Sequence, residues 1–127
     1  MVPEIRVLQV DDDDVFRGRS ASALEEAGLD VVTAADAAAG LERLDAGIDC
    51  VVTEHDVPGR DGLGFFHAVR DRRPALPVVL LTGRGDEAVA SEAIGAGVAD
   101  YLRKGAVEGR FDALVASEFE TVRDHAA

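Results

Sequence analysis

The chain has 127 residues, 47 % hydrophobic and 30 % charged, which suits one globular domain with a core of its own and excludes a disordered tract. Its 25 acidic and 13 basic residues give a net charge of −12, a field that repels phosphate backbones and anionic lipid and argues against nucleic-acid or membrane-surface binding. No apolar run approaches the ~20 residues of a membrane span, and the single Cys50 excludes an internal disulfide framework and a multi-cysteine zinc site, so the expectation is a soluble, cytoplasmic domain.

Ile5–Val10 (IRVLQV) is short and β-branched and predicts a buried strand. It runs into the acidic cluster Asp11–Asp14, where Asp13 and Asp14 suit the N-cap and first turn of a helix. Helical spacing places Val15, Phe16, Ala23, Leu24 and Ala27 on one side, and Gly28 ends that helix in the left-handed region. Asp30–Ala34 (DVVTA) is a second strand. Asp36 can cap a helix running through Leu41 and Leu44 to Gly47. Cys50–Thr53 (CVVT) is a third strand, with Cys50 a small core residue, and Pro58-Gly59-Arg60-Asp61-Gly62 is turn-rich. Phe65, Phe66 and Val69 mark a third helix, closed by Pro74 and Pro77.

Val78–Leu81 (VVLL) is continuously apolar, as a strand covered on both faces should be. Thr82-Gly83-Arg84-Gly85 is a loop, and Asp86 can cap a helix to Ala96 with Gly97 after it. Val98–Leu102 (VADYL) is the fifth strand. Phe111, Leu114, Val115, Phe119 and Val122 carry a last helix near 3.6 spacing. Alternation of five strands and helices with short connections predicts an α/β, doubly wound parallel sheet with right-handed crossovers, occupying residues 1–127 as one domain.

In such a sheet the site lies beyond the C-terminal strand ends. Strand one delivers Asp11, Asp12, Asp13 and Asp14; strand three delivers Glu54, His55 and Asp56; strand four delivers Thr82; strand five delivers Lys104. Gathered carboxylates repel one another unless a cation sits among them, and Mg²⁺, which needs few protein ligands, fits. Thr82 and Lys104 suit the other oxygens of a phosphoryl group. Lys104 is the one lysine beside 12 arginines, which marks it for a task arginine cannot fill. His55, His67 and His125 share no metal-ligand spacing, and His55 is read as a plain loop residue.

The segments LQVDDDD, CVVTEHDVPGRDG, VVLLTG and VADYLRKG together resemble the receiver domain of two-component response regulators, in the family's order and spacing and over nearly the whole chain. DYLRKG, with no proline after the lysine, is similar to receivers of salt-loving archaea, and the acidic, Asp-rich, Lys-poor composition points the same way. The resemblance implies the (βα)5 flavodoxin-like fold with strand order 2-1-3-4-5. It implies a phosphorelay signalling module that contacts a sensor histidine kinase or a downstream signalling protein. The face of the fourth helix, fifth strand and fifth helix would be used for protein contact or a dimer. Residue by residue, Asp11 and Asp12 match the acidic pair, with Asp12 the more direct metal ligand. Asp56 matches the position whose backbone carbonyl reaches the metal. Thr82 and Tyr101 match the switch pair, and Lys104 the lysine that pairs with phosphoryl oxygen.

One position departs from the family. The phosphoacceptor is an Asp four residues before the loop proline, and four before Pro58 stands Glu54. An extra methylene moves the carboxylate by roughly a bond length, and a misplacement of about 1 Å can cost ~10²-fold in an in-line attack. The resemblance therefore implies a pseudo-receiver, not phosphorylated at Glu54, with Glu54 still beside Asp11 and Asp12 for Mg²⁺. A second class stays open: Asp11-x-Asp13, Thr82 and Lys104 also resemble haloacid-dehalogenase-like phosphohydrolases, with Asp11 as nucleophile and Asp13 as general acid. Against it, only Glu108 and Asp112 follow Lys104, on an expected helix, and the Pro58–Gly62 loop has no role there. A flavin-binding module of the same topology lacks loop aromatics to stack the ring.

Overall fold

The structure, a computed structural model, describes residues 5–45, 47–57, 60–82 and 87–103. Lys104, Asp86 and the expected last helix lie outside the described residues. Five parallel strands form the main sheet: β1 (Arg6–Val10), β2 (Asp30–Ala34), β3 (Cys50–Glu54), β6 (Val78–Thr82) and β7 (Asp100–Arg103). Their order is β2-β1-β3-β6-β7, the expected 2-1-3-4-5 when counted within this sheet. Two short strands, β4 (Asp56–Val57) and β5 (Arg60–Asp61), pair antiparallel where the sequence suggested only a turn.

Four helices are described: α1 (Asp14–Glu26), α2 (Ala37–Arg43), α3 (Gly62–Arg72) and α4 (Glu87–Ala96). Asp13 caps α1 by accepting from the Phe16 N–H, and Asp36 caps α2 by accepting from the Ala39 N–H. Each bond satisfies one of the donors that a helix N-terminus leaves over. Gly28 and Gly97 follow α1 and α4 at φ +93° and +106°, the left-handed region where a Cβ is strained.

The sheet is covered on both faces. On one, Leu8, Val10, Val51, Val78 and Leu80 pack with Ala37, Phe65, Phe66, Val69 and Ala93 of the helices. On the other, Val7, Cys50, Val52, Val79 and Leu81 pack with Phe16 and Leu24 of α1. Each fully buried Phe contributes roughly 1.5–3 kcal/mol by leaving water. Arg70 ties α3 to the end of α4: its guanidinium lies 4.8 Å over the Phe66 ring and donates to the Pro74 and Gly97 carbonyls at 2.6 and 3.1 Å. At the opposite edge of the sheet Arg6 pairs with Asp30 at 2.7 Å, and this bond and charge hold the guanidinium pKa above its ordinary value.

Several sequence expectations shift. Val15 is 69 % exposed and Ala27 is exposed; the buried face of α1 is instead Phe16, Ser20, Ala21 and Leu24. Helix α2 stops at Arg43, because Leu44 is extended and its N–H turns back to Leu41 O. The last strand begins at Asp100, not Val98: the Val98 N–H still bonds Ala93 O and closes α4. Strand β3 runs one residue further than expected, so that Glu54 belongs to the strand.

Candidate functional site

The register of the sheet sets the site. Val10 of β1 pairs with Thr53 of β3, so Asp11 and Glu54, the next residues, emerge side by side. Glu54 pairs in turn with Leu81 of β6, whose next residue is Thr82. Thr82 pairs with Arg103, the residue before Lys104. Asp11, Glu54 and Thr82 therefore stand in a row across three adjacent strand ends. They are 0, 6 and 4 % exposed, an unusual burial for two carboxylates.

Asp11 is fixed on three sides. Its N–H donates to Ala34 O at 3.0 Å, at the end of β2. Its Oδ1 accepts from the Asp13 N–H at 2.9 Å, and its carbonyl accepts from Arg17 Nη1 at 2.6 Å. Asp12 is exposed and stands next in the chain, open to water. The His55 N–H donates to Leu81 O at 2.7 Å, which holds the chain as it leaves β3. Asp56 follows in β4, so the hairpin β4–β5 sits directly after the row of site residues and leads into α3. Tyr101 lies in β7 opposite Leu80; its ring packs against the core layer of Phe65 and Phe66, and its hydroxyl oxygen is shielded from solvent.

The expected residues Asp11, Asp12, Glu54, Thr82 and Tyr101 thus sit at or beside one edge. Asp56 contributes main chain beside it, and Lys104 lies outside the described residues. Asp13 is committed to the α1 cap, its Oδ1 taking the Phe16 N–H at 3.0 Å. That is a poor station for a general acid. Arg17 was not anticipated. Its second arm, Nη2, pairs with Asp14 at 2.6 Å, a contact the i, i+3 spacing allowed one to foresee; its bond to the Asp11 carbonyl had no sequence signal.

Among the described residues no three His, Cys, Asp or Glu side chains gather as a complete metal site. The donor chemistry still suits Mg²⁺. That ion keeps most of its water and takes one or two carboxylates, and the buried Asp11 with Glu54 on the neighbouring strand would supply them. Cys50 is a buried core residue and His67 is exposed on α3, away from this edge.

Comparison with known proteins agrees with this geometry. Residues 7–116 match the response regulator receiver domain family. The transcriptional regulatory protein FixJ of Azorhizobium caulinodans is 38 % identical over 107 residues, covering 82 % of this chain and 50 % of FixJ. The chain thus spans half the length of that relative. The crystal structure of a response regulator receiver domain protein from Clostridium thermocellum superposes with a TM-score of 0.86 at 26 % identity, covering 94 % of this chain and 95 % of that one. A response regulator from Burkholderia pseudomallei, solved with a phosphorylated aspartic acid, a calcium ion and citrate, gives 0.79 at 26 % identity, covering 90 % and 66 %. Nothing in these matches supports the phosphohydrolase alternative. Sequence, strand order and the edge built by Asp11, Glu54 and Thr82 converge, and the chain belongs to the response regulator receiver domain family.

Proposed function

We propose that residues 1–127 form one cytoplasmic receiver domain that signals by protein contact without being phosphorylated at its own acceptor position. The observation that carries this is Glu54: it ends β3, is 6 % exposed, and stands between Asp11 and Thr82. A glutamate there carries its carboxylate roughly a bond length too far for an in-line displacement, at a cost of about 10²-fold. A small-molecule phosphodonor with Mg²⁺ is expected to leave the wild-type intact mass unchanged.

Asp11, Asp12, Glu54 and the Asp56 carbonyl would hold Mg²⁺, which when bound neutralises the gathered carboxylates. On this reading the Glu54 carboxylate sets a fixed negative charge at the acceptor position, at the strand end next to the one that carries Thr82. It brings two oxygens and one charge where a phosphoryl group brings three oxygens and nearly two charges. The domain is therefore biased toward, and not locked in, the active-like arrangement. A ligand-like group shifts an equilibrium only by its differential interaction with the two states, and a difference of about 1 kcal/mol is a five-fold shift in population. The packed ring of Tyr101 supports this reading. The partner is a sensor histidine kinase or a downstream signalling protein, met through α4, β7 and the segment beyond, and the composition supports a salt-rich cytoplasm.

Tyr101 is the one tyrosine in a chain without tryptophan, so its fluorescence reports the switch. Glu54→Gln keeps the length and removes the charge, and should open Tyr101 to a neutral collisional quencher. Identical quenching in both proteins would leave Glu54 as a disabling substitution only, with the domain a phosphorylation-independent scaffold.

A further inference from the structure

We propose that Arg17 is the positioning residue of the acidic edge, holding Asp11 and Asp12 in the orientation that receives a divalent cation. This rests on the reading of that edge as a Mg²⁺ site. Four consecutive aspartates, Asp11–Asp14, repel one another across a turn with only one helix N-terminus to relieve them. Arg17 answers with both arms of its fork. Nη1 donates to the Asp11 carbonyl at 2.6 Å and Nη2 to Asp14 Oδ1 at 2.6 Å.

The two bonds do different work. Asp14 is 83 % exposed, so its ion pair is weak and screened. The Asp11 carbonyl belongs to the peptide that joins Asp11 to Asp12, and Arg17, only 20 % exposed, grips it from inside the helix. With the Asp11 N–H on Ala34 O and Oδ1 on the Asp13 N–H, that grip leaves the peptide no freedom to turn. Arginine suits the task because its planar fork serves two acceptors at once, which a lysine cannot do in the same geometry. Both bonds of Arg17 go to Asp11 main chain and Asp14 side chain, so it would act on the ion through the main chain of the ligands.

Charge and positioning predict opposite signs. If Arg17 acted only as a nearby cation, its removal would strengthen Mg²⁺ binding, because one repelling charge would be gone. If it positions the ligands, its removal weakens binding, as loss of an outer-shell partner of a metal site does by about 10–100-fold. The experiment is Mg²⁺ titration by calorimetry at fixed ionic strength on the full chain, for wild type, Asp12→Asn, Arg17→Met and Arg17→Lys, with circular dichroism melts alongside. Arg17→Met keeps the apolar stem and is expected to bind about ten-fold more weakly. Arg17→Lys keeps the charge and one arm and should lose about three-fold; it decides the question if the methionine variant does not fold. Equal or tighter Mg²⁺ binding by a folded Arg17→Met overturns the proposal, even where its melting temperature falls. If wild type and Asp12→Asn bind alike, the Mg²⁺ site itself is wrong and the proposal goes with it.

Discussion

The buried bond between Gln9 and Ser20 gives the sharpest energetic test of how α1 is held to the sheet. Both side chains are fully buried, Gln9 as the fourth residue of β1 on the face that also carries Val7, Ser20 on α1 between Phe16 and Leu24. Gln9 Nε2 donates to Ser20 Oγ, and that hydroxyl donates to the Arg17 carbonyl at 3.3 Å. Gln9 Oε1 is buried and has no partner among the described residues. The two single variants should therefore differ. Ser20→Ala strips the acceptor from a buried amide, which costs about 1–3 kcal/mol. In a domain of this size that is a fall of roughly 4–12 °C in melting temperature. Gln9→Met has similar volume, removes the unpartnered oxygen and leaves Ser20 bonded to Arg17, so it should lie within about 1 kcal/mol of wild type. The double variant replaces both groups by apolar ones and should recover most of the Ser20→Ala loss, a coupling of about 1–2 kcal/mol. Thermal and urea melts followed by circular dichroism measure all four corners. Singles that add within about 0.3–0.5 kcal/mol, with the double as unstable as Ser20→Ala, would refute the reasoning.

Two glycine substitutions should move stability in opposite directions by melting assays. Gly18→Ala on the exposed face of α1 meets nothing within 4 Å and should gain about 1 kcal/mol of helix propensity. Gly40→Ala in α2 would bring a Cβ to 3.0 Å from both Phe65 Cζ and Val10 Cγ2; both neighbours are fully buried and have little room to retreat, so the overpacking cost, about 2–3 kcal/mol, exceeds the same propensity gain, and an unchanged or higher melting temperature contradicts that packing. At a net charge of −12 the chain repels itself over roughly a Debye length of 8–10 Å, so the melting temperature should rise from dilute buffer to molar KCl, and a flat or falling trend would count against the charge argument.

The strands and the residues at their ends were legible because their signals are local and strong, whereas the strand order came from the family resemblance, since no local signal says which strands are neighbours. VVLL and CVVT are apolar runs that make sense only between two layers of helices, and the residue after each strand follows from the chain itself. Asp13, Asp36, Gly28 and Gly97 were read from capping chemistry and sit where that chemistry needs them. The face of α1 was misread because its buried stripe contains a serine whose partner, Gln9, lies on another element. No helical spacing signals a polar pair that satisfies itself across two elements. The β4–β5 hairpin escaped for a different reason: two-residue strands carry no periodicity. Arg17 was hidden because its decisive contact is to a carbonyl, which every residue has.

The most direct test of the account is phosphorylation of Glu54→Asp beside the wild type. Each protein is incubated with a small-molecule phosphodonor and Mg²⁺, followed by intact mass and mapping of the modified residue. The shorter side chain withdraws the carboxylate to the family's position at the end of β3, so the variant is expected to gain one phosphoryl group at residue 54 while the wild type gains none. A wild-type protein that takes up a phosphoryl group on Glu54 would contradict the account, and an inert Glu54→Asp that still binds Mg²⁺ would move the acceptor site elsewhere.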